Sequence, residues 1–421
     1  MTTRLVLVSL DWGRAKDPAL SLGHASLLAR LSVEASIQVT PLSFAVNAPT
    51  FRKEGVLAAI LDATGGRDAF VAIGAFIWNE PVVRWLLPAL REAGFTGRII
   101  LGGPQVSFSP IGVDALYPDA DVFIRGYAED ALATVVASDG ALLPLGVTLR
   151  GADHSAHSAR PDLAALPSPL LTGVLRPGAF LRWEAQRGCP YSCSFCQHRE
   201  SGSRMRFGAL PPGRVLGELE VIASSSVTDL AVLDPVFNMN PRAEAILRTL
   251  ADLGYRGRVS LQCRFELLTA SFLDACKRLD VHLEFGLQTI HEREMRAIGR
   301  LNNLAKVDAA LAMLRASGVP FEVSLIYGLP EQTLDSFRAS VDWCHERGVS
   351  VVRAFPLMLL RGTGAHTNRE RWGLIESNDP IPLVMSSNTF TRAEREEMRS
   401  IAERLDASRL TSVVARTGGA A

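Results

Sequence analysis

The stretch Arg187-Gly188-Cys189-Pro190-Tyr191-Ser192-Cys193-Ser194-Phe195-Cys196 decides the reading of this chain, because it gathers three of the six cysteines in one short run. The other three, Cys263, Cys276 and Cys344, stand singly and read as small buried apolar side chains. In a reducing compartment a tight thiol group holds metal more readily than it forms disulfides. No fourth Cys or His follows at zinc-ribbon spacing, and His198 is the only local rival. A zinc site normally closes its tetrahedron with a fourth protein ligand. A [4Fe–4S] cluster on three thiolates leaves one iron open to a substrate or cofactor. A zinc knuckle remains the alternative at this point.

Downstream of the thiols, short apolar runs alternate with amphipathic stretches, as parallel βα units require. Strands are predicted near Phe180–Glu184, Asp229–Leu233, Val259–Gln262, Leu283–Gly286, Phe321–Ile326 and Val351–Phe355. Helices are predicted at Gly213–Ser224, Pro241–Leu253, Ala270–Leu279, Leu304–Ser317 and Leu334–Arg347. Six such units fit a three-quarter barrel of the TIM kind. In parallel barrels chemistry collects at the carboxyl ends of strands. Polar residues do follow those ends: Asp234 to Asn238, Arg264 with Glu266, Gly286 to Thr289, and Tyr327 to Glu331.

Upstream lies a second α/β pattern, with strands at Leu5–Leu10, Ile37–Leu42, Phe70–Phe76, Arg98–Leu101 and Ala120–Ile124. Helices at Ala25–Leu31, Val56–Ala63, Glu80–Ala93 and from Glu129 complete a doubly wound sheet. No GxGxxG follows the first strand, which argues against a dinucleotide. The strand ends instead carry Phe76 to Glu80, Gly102-Gly103-Pro104, and Arg125-Gly126-Tyr127-Ala128-Glu129.

At 421 residues the chain is long enough for two or three domains, and 48% hydrophobic with 21% charged residues excludes a mostly disordered or coiled-coil protein. Lys+Arg and Asp+Glu are balanced at 44 each and interspersed, so no basic face points to nucleic acid or an anionic membrane. The apolar runs Ala69–Trp78 and Leu5–Leu10 are too short for a bilayer span and a signal-peptide core, respectively. These features point to a cytoplasmic protein whose substrate is a small molecule or a short peptide. Residues 146–179, rich in Pro, Ser, Ala and Gly, read as a linker in which His154 and His157 are solvated rather than metal ligands. A helix at Arg392–Leu405, N-capped by Thr391 with Glu394 three residues on, closes the chain ahead of an unstructured final dozen residues.

The cysteine stretch resembles the CxxxCxxC signature of the radical S-adenosylmethionine (SAM) enzymes, including the aromatic Phe195 before the last Cys. The resemblance implies Cys189, Cys193 and Cys196 as ligands of a [4Fe–4S] cluster, SAM chelated at its open iron, and one-electron cleavage to a 5′-deoxyadenosyl radical. It further implies Phe195, Asp234, Arg264 and Gln288 as SAM-binding residues. Arg300 matches an arginine common in the family, with a solvated helix charge as the equal alternative.

The upstream motifs resemble the cobalamin-binding domain that precedes the radical SAM barrel in one large subgroup. That likeness implies cobalamin contacts at Trp78, Gly102, Gly103, Pro104 and Gly126. The sequence departs from the best-known cobalamin signature, since it holds no Asp-x-His-x-x-Gly. Trp78 is then the candidate beneath cobalt.

The implied architecture is a Rossmann-like cobalamin-binding domain over 1–145, a linker over 146–179, a partial (β/α)6 radical SAM barrel over 180–365 and a helical C-terminal cap over 366–421. The implied function is a cobalamin-dependent C-methyltransferase acting on an amino acid or natural-product precursor, with a flavodoxin- or ferredoxin-type electron donor. The alternative is a non-methylating cyclisation, ring contraction or rearrangement. Methylthiolation is disfavoured because no Cys precedes Cys189.

Overall fold

The computed structural model describes residues 2–65, 69–109, 111–152, 157–198 and 208–417, with residues 408–417 as backbone only. His154 lies outside the described residues.

The chain begins β1 (Thr3–Asp11), α1 (Leu22–Leu31), β2 (Ile37–Ala45), α2 (Lys53–Thr64), β3 (Phe70–Gly74), α3 (Glu80–Glu92) and β4 (Arg98–Gly102). It continues with α4 (Pro104–Ser107), α5 (Val113–Leu116), β5 (Val122–Ile124), α6 (Glu129–Ala137), β6 (Val147–Leu149), β7 (Phe180–Trp183), β8 (Gln186–Arg187), β9 (Gly208–Ala209) and α7 (Pro212–Ser224). The remainder is β10 (Asp229–Val232), α8 (Ala243–Asp252), β11 (Arg258–Cys263), α9 (Ala270–Cys276), β12 (Asp280–Gln288), α10 (Glu292–Ala297), α11 (Leu304–Ser317), β13 (Phe321–Tyr327), α12 (Leu334–Glu346) and β14 (Val352–Pro356). After these come α13 (Gly364–Thr367), β15 (Ile375–Glu376), β16 (Val384–Ser386) and α14 (Arg392–Thr417). Contacts divide the chain into two units, Met1–Arg182 with Glu200–Val227, and Trp183–Arg199 with Thr228–Ala421.

In the first unit the sheet order is β2-β1-β3-β4-β5-β6. Every pair from β2 to β5 is parallel, and β6 is antiparallel to β5. β1 and β3 are apolar along nearly their whole length because both sheet faces are covered. Val6, Val8 and Leu10 join a core with Val56, Ile60, Val83 and Leu86, whereas Leu5 and Leu7 join another with Leu31, Leu132 and Val136. Strand order reverses between β1 and β3, which creates the crevice where doubly wound sheets take ligands. β6 falls inside the stretch read as linker. Ala159, also in that stretch, bridges Gly126 and exchanges backbone hydrogen bonds with Arg125 and Tyr127. Short polar-flanked segments of this kind gain stability by joining an existing sheet edge, which composition alone does not reveal.

The second sheet has the order β14-β13-β12-β11-β10-β7, with the pairs from β10 to β14 parallel. On β12, Val281, Leu283, Phe285 and Leu287 are buried, while His282, Glu284, Gly286 and Gln288 occupy the more open face. α14 lays Met398, Ala402 and Leu405 inward and runs to Thr417, longer than the sequence pattern suggested. Its expected capping box is present, with the Glu394 amide donating to Thr391 Oγ1 at 3.2 Å and the Thr391 amide donating to Glu394 Oε2 at 2.7 Å. The antiparallel pair β15–β16 was not expected. Among the described residues no helix is long and apolar enough to cross a membrane.

Candidate functional site

Within the second unit the cysteine loop follows β8, turning at Gly188 with φ +87°. Its stem is tied to the loop after β10. Asp234 Oδ1 accepts hydrogen bonds from the amides of Ala185 at 2.8 Å and Gln186 at 3.2 Å, and Gln186 Nε2 donates to the Val236 carbonyl at 2.9 Å. Asp234 is 0% exposed, and burial raises its carboxyl to about 7 against the pull of those two amides. Asp234, expected to touch SAM, is here fully buried with its Oδ1 engaged by backbone amides.

The three thiols share one small volume. Cys189 is buried, while Cys193 and Cys196 are half-buried. The Cys196 amide donates to the Cys193 carbonyl at 3.2 Å, and the His198 amide reaches Cys196 Sγ at 3.4 Å. Burial pushes the Cys189 thiol up and that of Cys196 to about 11; the neighbouring thiols add to the rise and Arg300 opposes it. Arg300 Nη1 lies 3.9 Å from Cys193 Sγ, and its Nη2 donates to the Gly286 carbonyl. Arg264, buried at the end of β11, stacks its guanidinium 3.9 Å from the centre of the Tyr191 ring. Arg300 thus sits against the thiols rather than on a solvated helix face.

Soft donors that sense one another, with two guanidiniums at hand to favour thiolates, fit a cluster in which each cysteine binds its own iron. Among the described residues no group of three His, Cys, Asp or Glu side chains stands ready to hold one metal ion.

The loop is also clasped from outside, by contacts that sequence reasoning missed. The Ser194 amide donates to the Ile298 carbonyl at 2.8 Å, and the Ala365 amide donates to the Ser194 carbonyl at 2.7 Å. Gln197 Nε2 donates to the Arg361 carbonyl at 2.8 Å. Two glycines admit the loop. A Cβ on Gly364 would lie 2.9 Å from Ser194 Cβ, and one on Gly299, whose φ is +63°, would lie 3.1 Å from the Ser192 carbonyl oxygen. The Gly at 299 was a visible turn signal, but nothing in the sequence says what approaches it.

Gln288 sits where β12 shifts register against β13, with φ +70° and a buried Oε1 that has no hydrogen-bond partner among the described residues. A Cβ at Gly286 would meet Gln288 Nε2 at 2.5 Å and Arg300 Nη2 at 3.3 Å, so Gly286 does more than shape a turn. The structure therefore gathers Arg264 and Arg300 around the thiol loop, which also carries half-buried Phe195, and places Gln288 against Gly286 and Arg300.

In the first unit, Trp78, Gly102, Gly103, Pro104 and Gly126 lie at or just after the carboxyl ends of β3, β4 and β5. Trp78 is half-buried, stacked on Phe76 at 4.6 Å, with Nε1 donating to the Leu10 carbonyl at 3.0 Å. It thereby spans the ends of β1 and β3, beside the topological crevice. Gly103 has a reason of its own to be glycine: with φ +89°, an added Cβ would meet the Ala75 carbonyl oxygen at 2.7 Å.

With this geometry in view, comparisons with known proteins are informative. A sequence model of the Radical SAM superfamily matches residues 183–344. The chain is 27% identical over 339 residues to the cobalamin-dependent radical SAM methyltransferase TokK of Streptomyces tokunonensis, covering 72% of this chain and 49% of that protein. It is 29% identical over 398 residues to the 2-(S-pantetheinyl)-carbapenam-3-carboxylate methyltransferase of Streptantibioticus cattleyicolor, covering 82% and 57%. The chain thus spans about half the length of the curated relatives it matches. The structure of the radical SAM methyltransferase TsrM from Kitasatospora setae, with tryptophan and a SAM analogue bound, superposes with a TM-score of 0.71 at 16% identity, covering 94% of this chain and 83% of that one, which speaks for the fold. The cysteine loop, the parallel sheets and these matches converge: residues 183–344 match the Radical SAM superfamily, and the chain is similar to cobalamin-dependent members of it.

Proposed function

We propose that this chain is a cobalamin-dependent radical SAM methyltransferase that places a methyl group on a carbon of a small natural-product precursor or amino acid. The observation that carries the reading is the three-thiol loop at the end of β8, flanked by Arg300 and Arg264. In this reading residues 180–365 are a partial (β/α)6 barrel, and the first unit is a Rossmann-like cobalamin domain. Cys189, Cys193 and Cys196 hold the cluster. Phe195, Arg264 and Gln288 contact SAM, Gln288 through the buried Oε1 left without an intramolecular partner.

Trp78, Gly102, Gly103, Pro104 and Gly126 would hold the corrin at the strand ends of the first sheet, where Trp78, held by its Leu10 bond, would offer an apolar ring. When bound, SAM on the cluster supplies a hydrogen-abstracting radical and cobalamin a transferable methyl group. The chain's part is placement: it holds the thiols, orients the groups around them and excludes water. The two methyltransferases it matches support the reading, and the carbapenam substrate named for one of them supports the substrate class. A flavodoxin- or ferredoxin-type protein delivers the electron.

The test is anaerobic reconstitution followed by reduction in the presence of SAM. Release of 5′-deoxyadenosine, its loss in Cys193→Ala, and a corrin spectrum in the same preparation are the expected results. SAM left intact by an iron-loaded preparation sinks the reading. Product mass separates methyl transfer from the rearrangement alternative, since only the former adds a methylene.

A further inference from the structure

The loop after β10 reaches the cysteine loop by two independent arms. In the first, Asp234 Oδ1 receives the Ala185 and Gln186 amides while Gln186 Nε2 returns to the Val236 carbonyl. In the second, Asn238 makes a reciprocal pair with Arg264, its Oδ1 accepting from the Arg264 amide at 3.0 Å and its Nδ2 donating to the Arg264 carbonyl at 2.8 Å. Arg264 then stacks on Tyr191, between the first and second thiols. One arm thus fixes the stem of the loop and the other its crest. Asp234 and Gln186 are at most 1% exposed, so these bonds are sheltered from competing water.

We infer that Asp234 and Asn238 are positioning residues, a two-armed bracket that presets the cysteine loop before any cluster is loaded. A carboxylate is a costly choice for a fully buried site unless its hydrogen bonds are needed, because a buried charge or unpaired oxygen is penalised. Here the two amides it accepts are those of Ala185 and Gln186, at the entry to β8 and two residues before the turn at Gly188, where the chain must leave β8 at a fixed angle for three thiols to meet. Neither residue touches the thiols. This deepens the proposed function and rests on it for the identity of the cargo, but the bracket itself is a property of the unloaded chain.

Two readouts test it. Hydrogen exchange of the 185–196 amides is measured anaerobically on the full metal-free chain. After reconstitution, the rate of iron loss to a chelator is measured at neutral pH. Asp234→Ala and Asn238→Ala are expected to speed exchange of those amides by roughly tenfold, the scale of one sheltered hydrogen bond lost, with α11 peptides unchanged, and to speed iron loss severalfold. Asp234→Asn, which keeps a carbonyl acceptor, is expected to restore most of the protection.

Asn238 is half-buried, so its variant keeps the test alive if Asp234→Ala does not fold. Unchanged exchange in a folded Asn238→Ala or Asp234→Ala protein overturns the bracket. So does an Asp234→Asn protein as unprotected as Asp234→Ala. If the wild type takes up no cluster, the exchange arm still decides the bracket and only the proposed function falls.

Discussion

Gly299 carries more of the site than its size suggests. With φ +63° and its missing Cβ facing the Ser192 carbonyl at 3.1 Å, it satisfies a backbone constraint and a spatial one together. Gly299→Ala is expected to cost about 1–2 kcal/mol from the left-handed conformation alone, read as a lower denaturant midpoint, and to loosen the thiol loop; an unchanged midpoint contradicts the argument. Asp234 makes a different prediction, in pH. Desolvation lifts its carboxyl to about 7 from an ordinary 3.8, with Glu184 adding to the rise. The folded chain therefore keeps a proton that the unfolded chain releases between pH about 4 and 7. Stability from this group is whole below about 4 and falls as pH rises towards 7, by at most about 4 kcal/mol. Asp234→Asn removes that titration, so denaturation of metal-free protein at pH 5 and pH 8 should show the wild type losing more stability than the variant; equal losses refute it.

At the scale of elements, the ends of β1 and β3 are tied together by a donor pair on one acceptor. Trp78 Nε1 and Asn79 Nδ2 both reach the Leu10 carbonyl, at 3.0 and 2.9 Å. Trp78→Phe keeps the stack on Phe76 and leaves Asn79 in place, so stability is expected to fall by less than about 1 kcal/mol. The visible spectrum of bound corrin is nevertheless expected to shift if the indole lies beneath it, and an unaltered spectrum removes Trp78 from that role. Strands were the most legible elements, because β11 and β12 alternate buried and open residues over their length and β1 and β3 are apolar on both faces. β6 was not legible. Its three residues sit among prolines and glycines, and only the exposed edge of β5 makes them a strand.

For the molecule as a whole, what could be read in advance was what is local in sequence. The three thiols and Phe195 lie within one turn-rich stretch, so spacing alone exposes them. The partners of that stretch come from afar: Asp234 is drawn to amides some fifty positions earlier, and Arg361 and Ala365 arrive from beyond the last strand of the second sheet. A polar residue after a strand looks the same in sequence whether it faces a ligand or ties down a neighbouring backbone, which is why the backbone bonds of Asp234 went unforeseen and the place of Arg300 was left undecided.

The strap formed by residues 361–365 reaches the loop from outside the segment that matches the superfamily, 183–344. A fragment trimmed at Pro356 would retain all six strands yet surrender one wall of the thiol compartment. Its sulfurs would meet dissolved oxygen more freely, and the apolar face that α14 covers with Met398, Ala402 and Leu405 would be laid bare as well.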